Sequence, residues 1–90
     1  MGMSAVQYKI MPKDLDIDMV LLKENCIKAI IEQGGLGPNS EEQLIAFGLK
    51  ALVISFAFPE EKEIDNVSNF LSGIEGVSSV EMIDYRRAIG

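Results

Sequence analysis

The sequence predicts an α+β fold whose elements follow in the order strand, helix, strand, strand, helix, strand. Apolar and polar residues alternate with a period of two at 6–10, and 50–58 has the composition of a strand, with a large apolar residue at every second position from 52 to 58. Apolar residues recur with helical spacing at 16–32 and again after Pro59. Because 90 residues is near the lower end of common domain sizes, we expect a single domain spanning residues 1–90.

The first strand and the first helix are separated by a proline and a group of acids. Val6, Tyr8 and Ile10 would share one face of the strand, which Pro12 ends. Acids at the predicted start of the helix suit its unpaired amides and its dipole; they are Asp14, Asp16 and Asp18. The stripe expected to face the core is Leu15, Met19, Leu22, Cys26 and Ile30. Glycines and a proline at 34–38 are expected to end the helix and turn the chain.

A second apolar stripe, made of Val20, Ile27 and Ile31, lies to one side of the first on the same helix. Either the helix buries a wide face, or this stripe is a surface for a partner or for weak self-association with a second copy.

Two strands are predicted in the middle of the chain, at 43–47 and 50–58. Residues expected on the core face of the second strand are Leu52, Ile54, Phe56 and Phe58. Phe47 and Gly48 lie at the junction, where glycine permits backbone angles that a side chain resists.

The second helix is predicted to start at Pro59, since proline suits an early helical position and acids follow it. These acids are Glu60, Glu61 and Glu63, and the apolar stripe behind them is Ile64, Val67, Leu71 and Ile74. Val80 and Met82 begin the core face of a last strand that runs to about Tyr85. Right-handed crossovers in this order place both helices on one face of a four-stranded antiparallel sheet, which is the ferredoxin-like arrangement.

Charge and residue types exclude several classes of function. The net charge is −6, with 14 acidic and 8 basic residues, and nucleic-acid binders need basic side chains to displace counterions, so we expect no direct nucleic-acid partner. The chain has no histidine and one cysteine, Cys26, which removes the usual general base, His-activated nucleophiles and the commonest metal ligand. We therefore expect no bond chemistry, no metal and no cofactor.

The apolar runs are too short to span a bilayer, and residues 1–4 lack the basic and apolar character of a secretion signal. We expect no membrane contact and a reduced, cytoplasmic setting.

Four segments in order resemble one family over essentially the full chain. Residues 45–52, Ile-Ala-Phe-Gly-Leu-Lys-Ala-Leu, are similar to the Gly-Phe-Gly-Ile-Lys-Lys-Leu segment of the exchange domain of elongation factor 1-beta. Residues 71–77 resemble the helix-to-strand passage of the archaeal members, 84–87 their Asp-x-Arg-Arg close, and 8–12 their start. The chain thus resembles the archaeal elongation factor 1-beta family.

The resemblance implies a guanine-nucleotide exchange factor for the elongation GTPase of the elongation factor 1-alpha type, which delivers aminoacyl-tRNA to the ribosome. Such a factor acts by protein contact that weakens the magnesium and phosphate site. It binds the nucleotide-free GTPase more tightly than the GDP form, and by reciprocity it weakens GDP binding.

The resemblance also implies contact residues. Phe47 would be an aromatic anchor on a turn shaped by Gly48, and Lys50 would pair with acids of the GTPase. The adjacent basic residues Arg86 and Arg87 would contact the partner or the departing phosphates. The plain alternatives are a core-edge position for Phe47 and solvated charges for the others. Eukaryotic relatives carry a lysine near the chain end that reaches the magnesium site, whereas residues 87–90 are Arg-Ala-Ile-Gly, so only the region carries over.

Two other functions use the same order of elements. A small-molecule-sensing module of the ACT type would dimerise edge to edge, which the second stripe of the first helix would suit, and this module is the alternative. An acylphosphatase-like enzyme needs an arginine after the first strand and an asparagine on the third. Here residues 11–14 are Met-Pro-Lys-Asp and 50–58 contain no asparagine, so this enzyme is disfavoured.

Overall fold

The computed structural model describes residues 2–87, which form four strands and two helices in the predicted order. The strands are β1 (Met3–Pro12), β2 (Leu36–Ala46), β3 (Leu49–Pro59) and β4 (Val77–Arg87), and the helices are α1 (Met19–Glu32) and α2 (Ile64–Ser72). The sheet is antiparallel with the order β2-β3-β1-β4, so each helical crossover skips one strand. This is the ferredoxin-like α+β fold that the sequence predicts.

The core lies between the helices and one face of the sheet. Paired positions put the apolar sets of β1 and β3 on that face: Val6 with Phe56, Tyr8 with Ile54 and Ile10 with Leu52. All six are at most 4% exposed. The Tyr8 and Phe56 rings stack with centroids 5.9 Å apart, and Phe56 meets Phe58 edge-on at 6.2 Å. The predicted core faces of both central strands are therefore confirmed.

Helix α1 begins later than predicted because Asp18 caps it. Asp18 has an extended backbone, and its Oδ1 accepts hydrogen bonds from the amides of Val20 and Leu21 at 3.0 and 3.2 Å. A capping carboxylate satisfies amides that have no partner within the helix. The capping role fixes the helix start at Met19.

Leu15 consequently lies outside α1, and its predicted place on the core stripe is wrong. Asp14 Oδ1 accepts a hydrogen bond from the Asp16 amide at 2.9 Å, which folds this segment into a turn. Leu15 is 62% exposed. The rest of the stripe is confirmed, with Met19 partly buried and the others buried: Leu22, Cys26 and Ile30.

Strand β2 begins at Leu36, so Gly37 and Pro38 lie within a strand and do not turn the chain as predicted. The register with β3 shifts between Leu36 and Asn39, and Gly37 has a φ of 60° at this bulge. Pro38 is tolerated because β2 is an edge strand, where an amide can lack a ladder partner. The chain turns earlier, at Gly34, whose φ is 102°.

Helix α2 begins at Ile64 and not at Pro59, which ends β3. The Pro59 carbonyl accepts a hydrogen bond from the Lys62 amide at 3.1 Å, and Glu63 is the extended N-cap residue. The proline-acid pattern therefore forms a turn before the helix. The predicted stripe is confirmed at its centre, since Val67 and Leu71 are buried.

Strand β4 is longer than the predicted 80–85 and lies at the other sheet edge. Met82 pairs with Tyr8 and so lies on the helix-facing side, but it is 39% exposed because no further strand flanks it. Its predicted burial is therefore wrong, whereas Val80 packs partly against the core.

Gly35 is required where α1 meets the sheet, and we expect Gly35→Ala to lower the free energy of unfolding by about 1–3 kcal/mol. A Cβ there would overlap Ile30 Cγ2 and lie 3.0 Å from Phe56 Cδ2, both in the core. Urea denaturation measures the loss. Gly73→Ala is the matched control, because its nearest contact would be an ordinary 3.5 Å. Equal urea midpoints for the two variants would contradict the prediction.

Candidate functional site

The β2–β3 hairpin ends in a two-residue turn made by Phe47 and Gly48. Ala46 pairs with Leu49, and the turn residues have φ angles of 53° and 81°. Two positive φ angles define a type I′ turn, which prefers asparagine, aspartate or glycine. A left-handed backbone costs a side-chain-bearing residue about 1–2 kcal/mol, so the turn holds Phe47 in an unfavourable conformation.

The side chain of Phe47 does not offset this strain by packing. It is 98% exposed, which excludes the core-edge position considered from the sequence. An aromatic ring held in water on a tight turn is suited to burial by another molecule, since such rings supply much of the energy at protein interfaces. Phe47 is therefore the principal candidate for a partner contact.

Lys50 lies close to the turn on the helix-facing side of β3, as strand alternation from Leu52 requires. Its Nζ is 3.5 Å from Oε1 of Glu42 on β2. Both side chains are about half exposed, so the pair contributes little stability. An acidic group on a partner would have to compete with Glu42 for this ammonium.

A depression of about 340 Å³ lies beside the turn, between the hairpin and the chain that leads from β1 into α1. Its apolar lining includes Leu15, Ile17, Met19, Val20 and Leu49. Its charged lining is Asp14, Asp18, Glu42 and Lys50. The sequence did not indicate this site, because the depression depends on the loop conformation that Asp14 and Asp18 stabilise. The sequence feature that belongs to this site is the aspartate at every second position from 14 to 18, which by itself indicates only the start of a helix.

The second stripe of α1 is divided between the two interpretations. Ile27 packs partly against the core, whereas Val20 and Ile31 are 63% and 55% exposed. Val20 lines the depression, and Ile31 lies near the far end of the helix. Self-association through this stripe stays a prediction.

Arg86 and Arg87 lie at the opposite end of the sheet from the turn. Arg86 pairs with Ala5, whereas Ile10 pairs with Leu52 near the hairpin. The part of β1 between Ala5 and Ile10 spans roughly 17 Å, and the turn lies beyond it. The predicted site residues therefore form two groups at the two ends of the molecule.

The two arginines also lie on opposite faces of β4, as neighbours in a strand do. Arg86 is on the open face, where its Nε donates to Asp84 Oδ1 at 3.3 Å. Arg87 pairs with buried Ser4 on the helix-facing side. The Ser4 hydroxyl donates to the Tyr85 hydroxyl at 3.1 Å and ties this end of β4 to β1. The basic pair is thus two separate charges. Residues 88–90, where this sequence has no lysine, lie outside the described part of the chain.

The one thiol is buried rather than part of a site. Burial raises the pKa of Cys26 to about 12, so the thiol is protonated and unreactive near neutral pH. Within residues 2–87, we find no group of three or more potential metal-binding side chains and no helix long and apolar enough to cross a membrane.

Comparison with known proteins identifies the family. A family model of the EF-1 guanine nucleotide exchange domain matches residues 5–87, from β1 to the end of β4. The chain belongs to this exchange-domain family. The resemblance seen in the sequence is thereby confirmed, and the match includes the hairpin turn, Lys50 and both arginines. The ACT-type alternative is based on the order of elements, and a shared order of elements does not show a shared function.

Several archaeal relatives named elongation factor 1-beta cover nearly the same length as this exchange-domain protein. The protein of Methanosarcina mazei is 37% identical over 89 residues, which cover 97% of this chain and 99% of the relative. The proteins of Staphylothermus marinus and Archaeoglobus fulgidus are 40% and 39% identical, covering 86% and 93% of this chain and 87% and 96% of each relative.

Proposed function

We propose that this chain promotes release of GDP from the elongation GTPase, of the elongation factor 1-alpha type, that delivers aminoacyl-tRNA to the ribosome. The observation that carries the proposal is the strained, exposed Phe47 on a turn within the exchange-domain match. A strained and exposed aromatic residue is explained by a partner that buries it. The proposed site of action is the cytoplasm, where that GTPase meets the ribosome.

The proposed mechanism is a difference in binding free energy. A factor that binds the nucleotide-free GTPase more tightly than the GDP form weakens GDP binding by the same factor. Each 1.4 kcal/mol of difference changes the GDP affinity about tenfold. Acceleration requires no bond to be made or broken, so the chain needs no nucleophile or general base.

The shape of the molecule suggests how the contacts are divided. The chain measures 42 × 20 × 18 Å, with the Phe47 turn and the arginine pair at opposite ends of the sheet. We assign the turn to anchoring on the GTPase and Arg86 and Arg87 to the region of the nucleotide phosphates. Guanidinium groups bind phosphate oxygens strongly and would compete there with magnesium. Because the sheet between them is rigid, binding at one end fixes the position of the other.

Release of a fluorescent GDP from an archaeal elongation GTPase, followed by stopped flow, tests the proposal. We expect the wild-type chain at micromolar concentration to accelerate release at least tenfold, with saturation as its concentration rises. Phe47→Ala should lose most of this acceleration, since the ring is the proposed anchor. Phe70→Ala is the matched control, because Phe70 is also an exposed aromatic, at 44%, but lies on α2 and not on the β2–β3 hairpin.

Two results would contradict the proposal. The first is an unchanged release rate with wild-type protein. The second is equal loss of acceleration in the Phe47 and Phe70 variants, which would separate the turn from the function.

A further inference from the structure

We infer that the depression beside the hairpin turn receives a lysine or arginine side chain of the GTPase that Phe47 contacts; this inference rests on the proposed function. The depression is open to a partner at the turn, since Gly48 and Leu49 form one of its walls. A partner surface that buries the Phe47 ring therefore also covers the depression.

The charge of the depression favours a cation. Its lining carries three carboxylates and one ammonium, which gives a net charge of −2. The ammonium of Lys50 is already paired with Glu42. Of the three carboxylates in the lining, Asp14 and Asp18 form no ion pair with another residue of the part of the chain that the structure describes. An anionic or apolar occupant would leave these charges facing it without compensation.

The two carboxylates are held in place before any partner binds. Asp14 Oδ1 accepts the Asp16 amide, and Asp18 Oδ1 accepts two amides at the start of α1. These hydrogen bonds fix both side-chain rotamers and use one oxygen of each carboxylate. A cation that binds the other oxygens does not have to order two flexible side chains, which lowers the entropic cost of the contact.

The apolar lining indicates a long basic side chain rather than a small ion. Leu15 and Val20 are 62% and 63% exposed, and both lie beside the carboxylates. Lysine and arginine have apolar stems that cover such surface while their charged ends reach a carboxylate. A free metal ion would gain nothing from these apolar walls, and the described residues form no metal cluster.

Neutralising both carboxylates without changing their shape tests the inference. In a variant combining Asp14→Asn and Asp18→Asn, asparagine keeps the turn and cap acceptors, and it caps helices about as well as aspartate. We expect about fivefold weaker binding to the nucleotide-free GTPase in 50 mM salt, with the difference falling below about twofold in 500 mM salt. Titration calorimetry at both salt concentrations measures this, and a thermal melt checks that the fold is intact.

The matched control removes the same charge elsewhere. Glu24→Gln on the exposed face of α1 is combined with Glu61→Gln in the turn after β3. This variant should bind within about twofold of wild type at both salt concentrations, since its carboxylates do not line the depression. An equal loss in both variants would reduce the effect to overall charge and overturn the inference.

The remaining outcomes separate the inference from the proposed function. If wild-type protein accelerates GDP release and the aspartate variant binds as wild type does, the depression is not a cation site and only the inference fails. A loss that persists unchanged in 500 mM salt would also overturn it, because ionic contacts near the surface are screened. If wild-type protein does not accelerate release, the proposed function fails, and the inference fails with it.

Discussion

Phe47→Asn is expected to stabilise the protein while removing most of its exchange activity. Asparagine adopts a left-handed backbone more readily than phenylalanine, and type I′ turns favour it. Because Phe47 is 98% exposed, its removal leaves no cavity and loses no core contact. We expect the free energy of unfolding to rise by about 1 kcal/mol, which is the relief of the strain at φ 53°. Loss of an interface hot spot of about 2 kcal/mol should reduce exchange efficiency roughly 30-fold.

Urea denaturation and stopped-flow GDP release on the same preparation measure both effects. Phe70→Asn is the matched control, and we expect it to have the opposite effect on stability and no effect on exchange. Phe70 is 44% exposed on α2 and has an ordinary helical backbone, so its replacement relieves no strain, loses the packing of the covered part of the ring, and should destabilise the protein while leaving exchange unchanged. A lower urea midpoint for Phe47→Asn would show that the ring packs on its own fold. Unchanged exchange would show that the ring is not the anchor.

A gain in stability together with a loss of function would explain why the turn is built as it is. Most exposed positions are free to take the residue that suits the backbone, and strain persists where function requires the side chain. At the second position of this turn the residue suits the backbone, since Gly48 has a φ of 81° and glycine adopts positive φ angles readily. Only Phe47, at the first position, departs from this preference, and its side chain is 98% exposed.

Much of the fold is encoded in local patterns. The alternation in β1 and the large apolar residues at every second position of β3 predict their core faces, and pairing on both sides of each strand fixes the register. The helix starts were predicted less well. Acids occur both in turns and at caps, so the sequence alone does not tell which of three aspartates caps α1; the hydrogen bonds of Asp18 do.

Edge strands were harder to predict than central ones. Strand β2 extends to Leu36 through a segment rich in polar residues, glycine and proline, which has a low strand propensity. Its pairing with β3 stabilises it instead, with a bulge at Gly37. The start of β2 is the part of the hairpin furthest from the turn, since Leu36 pairs with Ala57, and the sequence around Leu36 carries little information about that pairing.

The candidate site was predicted only where its residues are neighbours in the chain. Phe47, Gly48 and Lys50 lie together because a tight turn keeps them so. The distance of Arg86 from them follows from the register of β4 on β1. Their proposed division into two contact regions therefore required the structure.

Raising the pH above about 9 is expected to destabilise the protein through two buried acids in its core. Burial raises the pKa of the Cys26 thiol to about 12. Burial and, to a smaller extent, the charge of Asp65 raise the pKa of Tyr8 to about 12. Between the ordinary and the raised pKa, the unfolded chain has lost protons that the folded chain keeps. The stabilisation is therefore complete below about pH 9 and is lost as the pH rises towards 12.

The two groups act over different ranges, which makes their contributions separable. Between about pH 9 and 10 the slope comes mainly from Cys26, and above about pH 10 Tyr8 adds to it. Each group lowers the free energy of unfolding by at most about 1.4 kcal/mol per pH unit. Urea denaturation at pH 8, 9, 10 and 11 measures the slope. Cys26→Ala should flatten the curve from about pH 9, and Tyr8→Phe only above about pH 10. Curves parallel to wild type for both variants would show that other groups control the alkaline transition, because neither variant can titrate at the replaced position.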